Sequence, residues 1–504
     1  MGTGCSASYE IKDRAELQEC EGKYRIRALT VDTLLYTFEK FSFTNTELAG
    51  SGTLRRGNRV EPFEGSVPFS RIVFIEGLEM SFWKGVWVFP VLSGCISGVE
   101  SAFSSHSSFE IHRIGGSSCP YVYSYDGSSF RLDAEAFGTS VSKAFEAETY
   151  SVLPSLVPVS GHLDVRISNE RPETHLINSV HLYVGDAGGV TSAVLDVNNV
   201  LWPVENVQPP SAAHDHSGND ILAEISAKDN RRWQSDLANT TANSGFRDEL
   251  NLQFDRPDGA SDATLVVDAI NSDLVTEAYR AAGSVLGDAT MQFYRALEHD
   301  PQLQARIRDW IRDCSLRIEE KEGNEWKVVG SMEPEASVAP FSRAIRIHHL
   351  NDVPGPLMFR LSSLTDVWRI DAVQIDFSTV KPIPLRPLSL ASVKASDGND
   401  WGRALANYDT SYAILFPPNH LDLTFDASTS TTMRKPLYVF AARGYLYEWL
   451  PSATPGNPSA STSSIGADVR IELFKSLINH KEFFLPSVYA EWRDHGSFQP
   501  TQSP

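Results

Sequence analysis

Strict alternation of apolar and polar positions runs through the first eighty residues. Tyr24-Arg25-Ile26-Arg27-Ala28-Leu29, Leu34-Leu35-Tyr36-Thr37-Phe38 and Val67-Pro68-Phe69-Ser70-Arg71-Ile72-Val73-Phe74-Ile75 follow the period of two that belongs to strands. Gly50-Ser51-Gly52 and Arg55-Arg56-Gly57 read as turns between them, which predicts a small, curled β-barrel over residues 23–112 behind a flexible N-terminus, 1–22. The same alternation returns at 162–168, 178–184, 249–254 and 263–269, predicting a β-sandwich-like domain over 118–272. Its opening hairpin carries Tyr121, Tyr123 and Tyr125 on one face, and Asp126-Gly127 is expected as a two-residue turn.

Between 273 and 314 the period becomes helical. Leu274, Ala278, Ala281, Ala282, Val285 and Leu286 share a stripe that Met291, Phe293, Tyr294 and Leu297 continue. Asp300-Pro301 starts another helix, with Leu303, Ile307, Trp310 and Ile311 facing inward. From 315 to 451 strand patterns resume and predict a second β-sandwich-like domain. Ser, Pro, Gly and Thr dominate 452–466, expected as a linker, and 467–504 as a helix and tail with Ile471 and Phe474 among the inward positions. The expected class is therefore mainly β, with a helical insertion.

Charge narrows the partners. With 64 acidic against 44 basic residues the formal net charge is −20, a field that repels nucleic acid and anionic lipid. The uncharged run from Gly85 to Val99 falls short of the roughly 20 residues that a spanning helix needs. It reads as a buried strand with a glycine-rich turn, a membrane-dipping hairpin being the alternative. Five cysteines are too few and too scattered for a disulfide scaffold. Buried free thiols are expected, with a Cys95–Cys119 bridge as the alternative if the chain is exported. Gly2-Thr3-Gly4-Cys5-Ser6 is similar to the end of a bacterial lipoprotein signal, which makes Cys5 a candidate lipid anchor, although Gly2 stands where leucine is usual. Residues 1–10 show no basic stretch followed by an apolar core.

Candidate chemistry is sparse, and no cofactor is expected. His214, His216 and Asp220 form the one compact set of potential metal ligands, against a plain turn at Ser217-Gly218-Asn219-Asp220. Glycoside hydrolysis needs two carboxylates about 5–9 Å apart. Asp133 with Glu135, Glu146 with Glu148, and Asp371 with Asp376 could supply them, against a reading as ordinary strand and loop charges. No Gly-x-Ser-x-Gly segment is present for a serine hydrolase. Tyr121, Tyr123, Tyr125, Tyr445, Tyr447 and Trp449 could stack on sugar rings, against packing across a sheet.

The segments Cys119-Pro120-Tyr121-Val122-Tyr123-Ser124-Tyr125-Asp126-Gly127, Arg166 to Glu170 and Leu182 to Asp186 resemble blocks of a loosely defined set of bacterial envelope proteins, many of them predicted lipoproteins. Arg247 to Pro257, Trp368 to Asp371 and Arg443 to Trp449 resemble their later blocks, and Gly185 departs from the usual pattern. The resemblance implies an exported, β-rich protein of the cell envelope, periplasmic or at the outer membrane, with no activity to carry over. The expected function is thus non-enzymatic: structural or binding work through protein partners, as in a subunit of a larger assembly. The rival is a carbohydrate-active hydrolase, which requires an acid of raised pKa beside an ionised partner under an aromatic wall.

Overall fold

The alternating segments do form strands, although Val67 to Ile75 is divided between the end of one and the start of the next, and the fold is mainly β. A computed structural model describes residues 7–10, 17–79, 120–235 and 246–448, apart from short breaks, together with Ile471 and Phe474. Cys5, Cys95, Cys119, Trp449 and the linker 452–466 lie outside the described residues.

Among the described residues the N-terminal region is an open sheet, and the expected barrel is not closed. Its six strands run Ala7–Glu10, Ile72–Glu79, Arg25–Thr30, Leu35–Phe43, Glu47–Arg56 and Arg59–Pro68 in spatial order, all neighbours antiparallel. Closure would need the two outer strands to pair. One is only four residues long, and the other carries Pro62 and Pro68, which have no N–H to offer, beside exposed Glu61 and Glu64. Ile26, Ala28, Phe38, Leu48 and Val67 fill a core that Leu17 and Cys20 also join. Gly50 and Gly52 sit within a strand, not in a turn. A Cβ at either would stand 2.1 Å from the Lys40 carbonyl oxygen or 1.9 Å from that of Thr37, beside the bulge at Phe38/Lys40.

The two sandwiches are interleaved along the chain, unlike the sequential pair expected at 118–272 and 315–451. One contains the sheet Leu390–Ala395, His420–Asp426, His162–Ser168, Tyr121–Tyr125, Phe130–Glu135. Facing it is the sheet Arg386–Leu388, Glu173–Asp186, Pro436–Glu448, Ala147–Val152. Leu163, Val165 and Ile167 point into the shared core with Leu182, Leu423, Phe425 and Phe440. On the outer face Arg166 binds Asp422, its cross-strand neighbour, at 2.7 and 3.1 Å and lies 4.4 Å from the Phe130 ring centroid. The Asp126 turn is wider than expected. Tyr125 pairs with Phe130, and Asp126 accepts from the amides of Ser128 and Ser129 across a four-residue loop.

The other sandwich is inserted between Asp186 and Arg386. Its sheets run Val207–Gln208, Trp368–Asp376, Asp262–Asn271, Phe341–His348 and Ala212–Asp215, Arg247–Phe254, Leu357–Leu364, Leu316–Glu322, Glu325–Met332. Helices α1 (Leu274–Gly283), α2 (Thr290–His299) and α3 (Pro301–Cys314) pack on its core through Leu274, Ala278, Phe293, Leu297, Leu303, Ile307 and Trp310. Asp300 caps α3 by accepting from the amides of Gln302 and Leu303. Phe474 is buried on the same core, its ring 4.7 Å from that of Phe293.

Where the sandwiches meet, Glu135 is almost wholly buried, and one of its oxygens accepts from three consecutive amides of the inserted sandwich: Ser337, Val338 and Ala339, at 3.1, 2.6 and 2.9 Å. Tyr447 stacks edge-on against Tyr294, and its hydroxyl donates to Glu298 of α2. A hairpin, Ser192–Leu195 with Leu201–Val204, bridges the two. Leu201 packs with Ile383 and Val439, and Asp196 bridges to Ala344. Gly185 is glycine for this reason: a Cβ there would lie 2.9 Å from Ile383.

Glu135→Ala leaves those three amides without their acceptor and is expected to lower stability by about 3 kcal/mol, whereas Glu135→Gln, which keeps an acceptor oxygen, loses less. Urea denaturation followed by tryptophan fluorescence measures both; an unchanged midpoint for Glu135→Ala would show that this contact holds nothing together.

Candidate functional site

A cleft of about 320 Å³ opens between the sandwiches. Phe137, Glu148 and Tyr150 of the first, Met332, Glu333, Glu335 and Arg343 of the second, and Val197 and Asn199 from between the bridging strands line it. Phe137 has a φ of 36° and Asn199 one of 64°, so two wall residues hold left-handed backbone that costs a buried phenylalanine most. The neighbouring strand accommodates Phe137 through Gly444, where a Cβ would stand 2.9 Å from its ring.

Arg343 is nearly buried. It closes on Glu335 with two hydrogen bonds and donates to the Tyr150 carbonyl oxygen at 2.6 Å. Burial pushes the Glu335 carboxyl up, Arg343 opposes this, and nearby Glu135 adds to the rise. Glu333 lines the cleft as an exposed residue, and the desolvation its surroundings impose raises its carboxyl too. Tyr150 donates to Glu148 at 2.9 Å and stacks on Tyr183 at 6.1 Å; burial and the Glu148 carboxylate raise its hydroxyl above the ordinary tyrosine value.

Most carboxylates singled out from the sequence hold the fold instead. Asp133 accepts from the amide and hydroxyl of Ser155, and Glu146 from Tyr412 and Arg443. Asp371 accepts from the amides of Asp229 and Asn230, and Asp376 from those of Glu205, Asn206 and Ser378. Glu148 alone of the six lines the cleft. Its partners there, Glu333, Glu335, Arg343 and Tyr150, were not selected from the sequence; the one local signal was the acidic pair around Pro334, directly after a strand.

The structure does not assemble His214, His216 and Asp220 into a ligand set, and no group of three metal-ligating side chains converges among the described residues. His214 and Asp220 are exposed partners in a turn. Its centre is Asp215, which accepts from the amides of Ser217 and Asn219 and from the Asn219 side chain. His216 instead lies 3.7 Å from Asp248, a buried carboxylate on the inward face of Arg247–Phe254 that accepts from Ser235 and the Asp366 amide. A hydrolytic triad needs the imidazole between serine and carboxylate, and here the carboxylate is in the middle.

The tyrosines pack. Tyr121 is buried and accepts from Arg171 at 2.8 Å, and Tyr123 donates to Glu170. Tyr125 lies 5.5 Å from Phe130, and Tyr445 is buried between Tyr412 and Tyr447. The chain matches no protein-family model and no curated protein sequence.

Two outcomes are expected. Arg343→Met strands Glu335 without its cation and should cost about 3 kcal/mol in chemical denaturation, most of it recovered in the Arg343→Met/Glu335→Met double variant. Burial raises the folded-state pKa of Asp248, so its ionisation opposes folding: the stability of the wild type relative to Asp248→Asn should fall as pH rises upward from the ordinary aspartate value. Melting curves across that range check the sign.

Proposed function

We propose that the chain is a non-enzymatic, envelope-associated binding protein that works through protein–protein contacts as a subunit of a larger assembly. The observation that carries this reading is the use of the chain's carboxylates. Glu135, Asp133, Glu146, Asp371 and Asp376 fix loops and join two sheet sandwiches into one scaffold instead of facing a substrate. A scaffold of that kind presents its loops and the cleft to a partner at little ordering cost. Attachment to the bacterial envelope through a lipid on Cys5 belongs to the same reading and rests on the sequence resemblance.

One observation favours a second reading, a carbohydrate-active hydrolase. Glu333, with its raised carboxyl, shares the cleft with Glu148 and the ring of Tyr150, which are the acid, the second carboxylate and the aromatic wall such chemistry requires. Release of reducing ends from envelope polysaccharides, abolished by Glu333→Gln, would establish it.

Isolation of the protein from its native cells in mild detergent, with mass spectrometry of its N-terminal peptide and of whatever co-purifies, tests the main proposal. A diacylglyceryl group on Cys5 and a partner in stoichiometric amount are expected. An unmodified terminus and no partner would overturn it.

A further inference from the structure

We infer that the cleft between the sandwiches receives a lysine or arginine side chain of a protein partner, with Glu148 and Glu333 as its counter-charges. The inference rests on the binding reading above and names the chemistry of the partner.

A cavity of about 320 Å³ has room for one long side chain and the backbone that carries it, and its walls come from both sandwiches, which Glu135 holds together. Phe137 and Met332, at 1% and 2% exposure, back the cleft from within the two cores, and the half-buried Tyr150 suits the charged head of such a side chain.

The charge left over inside the cleft selects the ligand's sign. Arg343 is closed off by Glu335 and the Tyr150 carbonyl, so it neutralises Glu335 and nothing else there. Glu148 has a hydrogen bond from the Tyr150 hydroxyl but no cation, and Glu333 has neither hydrogen bond nor ion pair among the described residues. Glu135 and Glu335 at this interface are met by three amides and by a guanidinium, whereas Glu148 and Glu333 line the cleft with neither. A cationic group entering between them gains charge-assisted hydrogen bonds in a partly desolvated site, and the net charge of −20 draws basic partners toward it.

The test uses the full chain with ¹³C-methyl methionine labelling, because Met332 lines the cleft and reports occupancy by its methyl shift. Titration with the capped tripeptide acetyl-Gly-Lys-Gly-amide should move the Met332 signal, while the Nε-acetyllysine peptide should not. Glu148→Gln and Glu333→Gln should each weaken binding about tenfold with the urea midpoint unchanged. Affinity should also fall as pH drops and Glu333 takes up a proton, a dependence that Glu333→Gln reduces to what Glu148 contributes. Equal binding of the acetylated peptide, or a Met332 shift with cellotriose and none with the lysine peptide, would overturn the inference, the latter in favour of a sugar. Retention of the native partner by the Glu148→Gln/Glu333→Gln double variant would overturn the cleft assignment and leave the binding reading standing. Absence of any partner on the wild-type protein would overturn both.

Discussion

A single carboxylate, Glu135, lies at the end of a strand in one sandwich and gathers three successive backbone amides of the other. The loop 336–339 has no strand neighbour for those donors, and an amide left without an acceptor in a packed interface is costly. The contact therefore sets the register between that loop and the first sandwich, while Asn271 of the inserted sandwich accepts from the amides of Glu335 and Ala336 and holds the turn that carries Glu333 and Glu335. Without that register the Arg343–Glu335 pair and the wall at Tyr150 would have no common site to form.

Interleaving makes the same interface a requirement of topology. The first sandwich is complete only when His420–Asp426 and Pro436–Glu448 return to pair with His162–Ser168 and Glu173–Asp186, after the chain has built the whole inserted sandwich. Two chain crossings, the Ser192–Val204 hairpin and the aromatic contacts of Tyr447 and Tyr294, tie the bodies together. Contacts this distant in sequence carry a large loop-closure entropy, which their mutual burial has to offset.

An acidic chain has to place many carboxylates, and this one uses a large share of them as acceptors for turns. Asp126, Asp196, Asp215, Asp371 and Asp376 each take two or more backbone amides. Such groups look like candidate acids in a sequence, because a residue type does not reveal whether its oxygens are already engaged. Glu148 and Glu333 differ from them by their surroundings and not by their chemistry.

The sequence by itself determined the strands and helices. Leu163, Val165 and Ile167 alternate with Asp164 and Arg166, and the stripe through Leu274, Phe293, Leu303 and Ile307 is helical, because local periodicity is set by which side of an element meets the core. It equally indicated that Tyr121 and Tyr445 could serve as packing residues. What it could not contain is which strands pair across two hundred residues, since an apolar face fits any complementary sheet until the whole arrangement is closed. The open N-terminal sheet, the interleaved sandwiches and the meeting of Glu148 with Glu333 and Arg343 were decided by tertiary structure alone. Those pairings depend on backbone donors, prolines at an edge and close approaches at Gly185 and Gly444, whose effects appear only once the neighbouring chain is in place.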